Sequence, residues 1–288
     1  MAQTFIGGSV NSYDTMGPGQ AGPKLGIYSE EATQTSALGT KKVFDDARVY
    51  KYAHWVAACT VGKLCAQDFS VSGTVSVDGK FVSSAGAAKD DYTTTDDVIY
   101  LLDTDTFGTA DAANVYAGGY LSITDAAGEG YQYRIKSNDL GTAAGLMKLV
   151  LYDKLAAALD SETSCAIIGS MYKNLRINTA PGTDNITAGA TARSMTAAYY
   201  GWVQTWGPAT ILADESAGTI AAGSIATVSD GVSGAVQPIS GGYTQASEAL
   251  ITSDFDFTPI VTENIVGFFM NTATDTEYTQ VYLQLSQC

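Results

Sequence analysis

The sequence predicts an all-β protein: β-sandwich or barrel-like domains with an extended N-terminal arm. Three observations predict it. Short apolar runs alternate with polar residues at period two, as in Tyr131-Gln132-Tyr133-Arg134-Ile135-Lys136, which sends successive side chains to opposite faces of a sheet. Thirty glycines in 288 residues punctuate those runs as turn signals. Helical periodicity is nearly absent, and no fixed-period repeat suggests a solenoid.

Residues 1 to about 35 read as an arm. They hold Gly7-Gly8, Gly17-Pro18-Gly19 and Gly22-Pro23, with isolated apolar residues Phe5, Ile6, Tyr13, Leu25 and Tyr28. Such a segment lacks the apolar density for a core of its own, and its scattered apolar residues suit docking on a neighbour. Strands begin with Lys42-Val43-Phe44, which meets Arg48-Val49-Tyr50-Lys51-Tyr52 across Asp45-Asp46-Ala47 as a hairpin. Asp78-Gly79, between Thr74–Val77 and Lys80–Val82, predicts a second hairpin with a type I′ turn.

Val98–Leu102 and Met147–Tyr152 read as strands. Tyr120–Thr124 leads through a glycine-containing turn, Asp125 to Gly130, into the strand Tyr131–Lys136. Lys154 to Asp160 is predicted as a short helix, because Leu155, Ala158 and Leu159 share a helical face. Asn178 to Ala190, with Pro181-Gly182, Gly189 and few large apolar residues, reads as a linker. Further strands are expected at Tyr200–Pro208, Ile225–Val228, Ala235–Ile239, Ile265–Met270 and Tyr278–Leu285.

Composition excludes several function classes. The net charge of −15 repels nucleic acid. No apolar run reaches the roughly 20 residues that span a bilayer as a helix, so neither nucleic acid nor membrane is expected as a partner. The segment Met1 to Gly8 lacks the basic start and apolar core of an export signal. Reduced thiols are therefore expected at Cys59, Cys65, Cys165 and Cys288, whose spacings match no zinc pattern. Cys59 and Cys65 lie in an apolar stretch and read as core residues. A terminal thiol at Cys288 is expected to be inert, with cross-linking between copies as the other reading.

No catalytic constellation emerges. His54 is the one histidine and has no Gly-x-Ser-x-Gly elbow to serve. It reads as a strand residue beside Trp55. Asp45, Asp46, Asp96, Asp97, Asp103, Asp105, Asp254 and Asp256 fall beside turn formers and read as solvated turn acids rather than a glycosidase pair. Asp103 and Asp105 begin a calcium-like loop. Phe107 replaces the third oxygen ligand, and Asn114 stands where a bidentate glutamate belongs, so no metal is expected. No cofactor motif is present, and an enzyme is not expected. Asn185-Ile186-Thr187 is a glycosylation sequon that stays unmodified without export. Tyr131 and Tyr133 alternate on one strand, which suits sheet packing or a sugar-stacking platform equally.

Two stretches carry a resemblance. Ala37-Leu38-Gly39-Thr40 through Asp45-Asp46-Ala47-Arg48-Val49-Tyr50-Lys51-Tyr52-Ala53, then Gly62-Lys63-Leu64, resembles the opening of tailed-bacteriophage capsid decoration (cement) proteins. Gly201-Trp202-Val203-Gln204-Thr205-Trp206-Gly207-Pro208 resembles their closing domain, and Gly128–Ile135 their middle block. Ala47 departs from the glycine expected in that turn.

The resemblance implies a structural virion protein on the capsid surface, assembled in the bacterial host cytoplasm. Its partner would be the major capsid protein, whose subunits it would bridge as a homo-oligomer, a trimer or dimer. Residues 1–35 would form the arm, with Phe5, Ile6, Tyr13, Leu25 and Tyr28 as capsid contacts. Residues 36–91 and 179–288 would form a capsid-facing base, and 92–178 an inserted outward or intersubunit domain. The alternative from a different class is a head-fibre or adhesin-type protein that binds host glycans through exposed aromatics such as Tyr131 and Tyr133. A carboxylate-based glycan hydrolase is the remaining reading.

Overall fold

The computed structural model describes residues 26–68, 75–86, 92–102, 112–142, 145–180, 186–239 and 264–286, with the backbone alone at 75–79. Sixteen strands and no helix are found among them, and every strand pairing is antiparallel. The fold is all-β, as the alternation predicts.

The chain divides into two units. The first begins with β1 (Lys41–Val43) and β2 (Val49–His54), a hairpin in the expected register, with Lys42 opposite Tyr50. Its turn closes through Phe44 N–H donating to the Arg48 carbonyl at 3.0 Å. Ala47 adopts φ 70°, the left-handed conformation that glycine would take without strain. After β3 (Leu64–Gln67) the chain leaves this unit.

The second unit, Asp68–Asn174 with Ala37–Gly39, is a closed six-stranded barrel. Its strands are β4 (Val75–Val82), β5 (Val98–Leu102), β6 (Tyr120–Asp125), β7 (Gln132–Asn138), β8 (Leu146–Leu151) and β9 (Ser164–Ile168), in the order β4-β5-β8-β7-β6-β9. Alternate residues point inward. Ile99 and Leu101, Leu121 and Ile123, Met147 and Leu149, and Cys165 and Ile167 fill the interior, as expected for a barrel small enough to be plugged by its own side chains.

Two sequence expectations fail in this unit. Asp78-Gly79 makes no hairpin turn but lies inside the continuous strand β4. Ser76 pairs with Ile167 and Gly79 with Cys165, so Val77 and Asp78 together oppose Ala166. That is a β-bulge. Closing the barrel requires β4 to pair with β9 on one side and β5 on the other, and a hairpin within it would forfeit both ladders. The expected helix at Lys154 to Asp160 is an extended loop. Leu155 N–H donates to the Asp96 carbonyl at 2.9 Å and Leu159 N–H to the Tyr92 carbonyl at 3.0 Å. Leu155 and Leu159 are buried in the barrel core all the same, because a four-residue spacing shares a face in extended chain as well as in helix.

The chain returns to the first unit in β10 (Leu175–Ile177), which pairs with β3, Leu175 opposite Gln67. There follow β11 (Thr187–Thr191), β12 (Tyr200–Leu212), β13 (Ile225–Val228), β14 (Val236–Pro238), β15 (Ile265–Phe269) and β16 (Tyr278–Gln284). The sheet order is β10-β3-β11-β12-β16-β15-β13-β14, with β2 also on β12 and β1 on β2. Leu64, Ile211, Ile220, Val236, Phe269 and Leu283 are among its core residues.

The segment expected as a linker contributes β11, an interior strand between β3 and β12. Its Ala188, Gly189 and Ala190 are buried. A Cβ on Gly189 would lie 2.4 Å from the Gln204 carbonyl oxygen, so close backbone packing selects small residues here and erases the apolar run that marks a buried strand. The unit boundaries also differ from the sequence expectation. The barrel begins at Asp68 rather than about residue 92, because β4 pairs only within it.

Candidate interaction surface

Of the expected arm contacts, Phe5, Ile6, Tyr13 and Leu25 lie outside the described residues. Tyr28 lies within them and is 64% exposed. The described segment that follows residue 25 is fixed to the first unit. Glu31 forms an antiparallel bridge with Tyr200, their N–H and carbonyl groups exchanging hydrogen bonds of 3.0 and 2.8 Å. The Glu30 carboxylate accepts from Thr196 N–H at 2.8 Å and Thr196 Oγ1 at 2.9 Å, and pairs with Arg193 at 3.1 Å. Arg193 also donates to the Tyr28 carbonyl at 3.2 Å.

Glu31 is held a second way. Its carboxylate accepts from the Tyr52 hydroxyl and from Thr35 Oγ1. Tyr52 sits on β2, fully buried, stacked on Tyr200 at 6.0 Å and edge-on to Trp202 at 5.5 Å. Burial, with the neighbouring Glu31 carboxylate, pushes the Tyr52 hydroxyl up to about 12. The hydroxyl therefore keeps its proton and donates to Glu31 at every ordinary pH. Two adjacent acids thus fasten a segment that the sequence assigns to the arm. Apart from Thr35, their partners stand far along the chain, Thr196 being 166 positions beyond Glu30, so no local pattern announces them.

Beside this segment lies the β1–β2 turn. Arg48 Nε donates to Asp46 Oδ2 at 2.7 Å and Nη1 to the Tyr50 hydroxyl at 3.2 Å, and the guanidinium lies 5.1 Å from the Phe44 ring. The Tyr28 side chain lies near the same guanidinium. The exposed Tyr28 ring and the turn therefore form one surface. The two stretches of sequence that carry the resemblance also meet here. β2 pairs with β12 from Tyr200 opposite His54 to Trp206 opposite Val49. A Cβ on Gly207, at φ 83°, would lie 2.7 Å from the Ala47 carbonyl oxygen. The glycine of the Trp206-Gly207-Pro208 run makes room for the turn of the Asp45-Asp46-Ala47 run.

Tyr131 and Tyr133 do not form an exposed pair. Tyr131 precedes β7 and is 46% exposed, whereas Tyr133 is 5% exposed and belongs to the barrel core. The Tyr133 hydroxyl accepts from Ala156 N–H at 3.0 Å, and its ring lies 6.4 Å from that of Tyr131. Only Tyr131 offers a face to solvent. The barrel exposes a different aromatic row, which the sequence reading missed. Ile168 is opposite Tyr120, and Tyr120 is opposite Arg134. The Arg134 carbonyl accepts from Tyr152 N–H at 3.0 Å, and its guanidinium lies 5.1 Å from the Tyr152 ring. All four residues are exposed. The first unit carries a second apolar strip, in which exposed Phe268 is opposite Tyr282 and Trp206 meets Tyr282 edge-on at 6.1 Å.

The remaining candidates have structural surroundings. The His54 ring lies 4.7 Å from that of Tyr200. Asp46 holds Arg48, and Asp96 accepts from Thr93 N–H at 2.7 Å as a turn acid. Asp103, Asp105, Phe107, Asp254 and Asp256 lie outside the described residues. Among the described residues, no group of three His, Cys, Asp or Glu side chains is placed to hold a metal ion, and no helix is long and apolar enough to cross a membrane. No protein-family model, curated protein or solved structure matches this chain.

Proposed function

We propose that this chain is a structural virion protein that binds the outer surface of a phage capsid and stabilises the shell by bridging major capsid protein subunits. The observation that carries the reading is the fastened arm root. Residues 1–25, with Phe5, Ile6, Tyr13 and Leu25, lead from a segment that Glu30 and Glu31 tie to the sheet. An arm transmits force to a shell only if its root is anchored, and this root is anchored by charge and backbone together. The convergence of the two resembling stretches on the β2–β12 pair supports the same reading. Symmetric display on a lattice multiplies each weak arm contact.

The decisive experiment is deletion of residues 1–25, which leaves Glu30 and Glu31 in place. The truncated chain should keep the thermal midpoint of the full chain and lose binding to capsids that lack the protein. Full occupancy of those capsids by the truncated chain would overturn the arm-mediated mode.

One observation favours the adhesin reading: the exposed row Tyr120, Arg134 and Tyr152 on the barrel. Aromatic faces flanking a guanidinium suit stacking and hydrogen bonding to sugars. Glycan-array binding abolished by Tyr120→Ala or Tyr152→Ala, with capsid binding unchanged, would move the assignment to this class. Tyr133→Ala is unsuitable for that test, because it opens a cavity in the barrel core.

A further inference from the structure

Cys59 and Cys65 stand at the two ends of a short reversal in the first unit, and their Sγ atoms are 3.0 Å apart. That is about 1 Å longer than a disulfide bond. Backbone hydrogen bonds hold both residues in place. Cys59 exchanges backbone hydrogen bonds with Met195 at 3.0 and 2.7 Å. Cys65 lies in β3 opposite Gly189 of β11. Between them Gly62 N–H donates to the Thr191 carbonyl, and Thr191 N–H to the Lys63 carbonyl, each at 3.0 Å. One stretch of chain, Gly189 to Met195, thus holds both ends of the reversal.

We infer that Cys59 and Cys65 form an oxidisable dithiol site, which a small disulfide oxidant such as glutathione disulfide converts to an intramolecular disulfide. The exchange balances. The Cys59 thiolate attacks one sulfur of the oxidant, the oxidant's S–S bond breaks, and one glutathione thiolate leaves and takes a proton. The Cys65 sulfur, on losing its proton, attacks Cys59 Sγ and expels the second glutathione thiolate. Two protein thiols lose two electrons and two protons, and glutathione disulfide gains them as two thiols.

The surroundings set the order of events. Cys59 and Cys65 are 2% and 0% exposed, but Ala57, Ala58, Thr60 and Val61 around Cys59 are exposed. Local opening of this loop bares Cys59 first. Burial raises the Cys65 thiol well above its ordinary value, so Cys65 is the second sulfur to react rather than the first. The same burial makes the pair resistant to quick oxidation and, once closed, to quick reduction.

The test uses the full-length chain carrying Cys288→Ser, so that no terminal thiol can cross-link copies. The protein is incubated with glutathione disulfide, denatured, alkylated and digested. The expected product is a Cys59–Cys65 cross-linked peptide, lighter than the reduced peptide by two hydrogen atoms and reversed by dithiothreitol, with Cys165 alkylated. Cys59→Ser and Cys65→Ser should each abolish it. Alkylation of both cysteines after prolonged oxidation would overturn the inference. A mixed glutathione disulfide on Cys59 that never resolves would also overturn it, because Cys65 would then be out of reach.

Discussion

Ala47 carries the one backbone strain that the sequence flagged as a departure, and the structure explains the flag. At φ 70° the residue occupies the left-handed region, which costs an L-residue with a Cβ about 1–2 kcal/mol. Ala47→Gly removes that cost and adds some unfolded-state entropy, so it should stabilise the chain by about 0.5–1 kcal/mol. The urea midpoint should rise with an unchanged slope. Asp214, just past β12, is the second residue of consequence. Buried, it accepts from Ser216 N–H and Oγ at 2.9 Å each and from the Ser229 hydroxyl, while Ser229 Oγ accepts from Val232 N–H at 2.7 Å. Burial alone would raise this carboxyl, but the Ser229 and Ser216 hydrogen bonds outweigh it and hold the group below the ordinary aspartate value. A depressed carboxylate stabilises the fold above its unfolded pKa, and that contribution fades as pH falls through the folded value. Asp214→Asn should cost about 1–3 kcal/mol near neutrality. Denaturation midpoints measured from pH 7 downward should show the variant losing less stability than the parent in the acid range.

At the scale of elements, pairing partners overrule local signals. Asp78-Gly79 has the composition of a hairpin turn, yet the barrel takes it as a bulge because β4 must satisfy two neighbours. β11 looks like linker because its neighbours come too near for large side chains. The 13-residue strand β12 couples these elements, meeting β2, β11 and β16 along its length. Gly207 is its most constrained position. A methyl group there would combine a left-handed φ with a 2.7 Å approach to the Ala47 carbonyl. Gly207→Ala should therefore destabilise by at least about 2 kcal/mol. Hydrogen exchange should find the lost protection concentrated in the β1–β2 hairpin and its ladder to β12.

For the molecule as a whole, the insertion has a simple basis. The strand that leaves the first unit and the strand that returns to it are partners, Gln67 opposite Leu175. Asp68 N–H and the Asn174 carbonyl continue the pairing at 2.9 Å. The first unit thus presents an open hairpin into which a complete barrel is spliced. Replacing Asp68–Asn174 by an Asn-Gly turn should leave a chain that folds, because that dipeptide suits a two-residue hairpin connection. Asp68–Asn174 alone should fold as the barrel, whose six strands close without outside help. Circular dichroism of both fragments, with cooperative melting of each, checks the division.

Alternation and turn residues by themselves determined that the protein is all-β and where most strands lie, because a period of two is written locally and survives in any sheet. The scattered apolar residues of the first segment also marked Tyr28 as a candidate contact, and the family resemblance marked Ala47 as a departure. The tertiary structure alone decided which strands pair, that β4 runs through its glycine, and that small residues at β11 fill an interior position. It alone buried Tyr133 while exposing Tyr120 and Tyr152, brought Cys59 to Cys65 against Gly189 to Met195, and tied Glu30 and Glu31 to Arg193, Thr196, Tyr200 and Tyr52. Each of those outcomes depends on groups distant in sequence, whose approach is set by closure of the barrel and the order of the sheet. Periodicity states which face a side chain takes, and only the packed partner states whether that face meets a core, another strand or solvent.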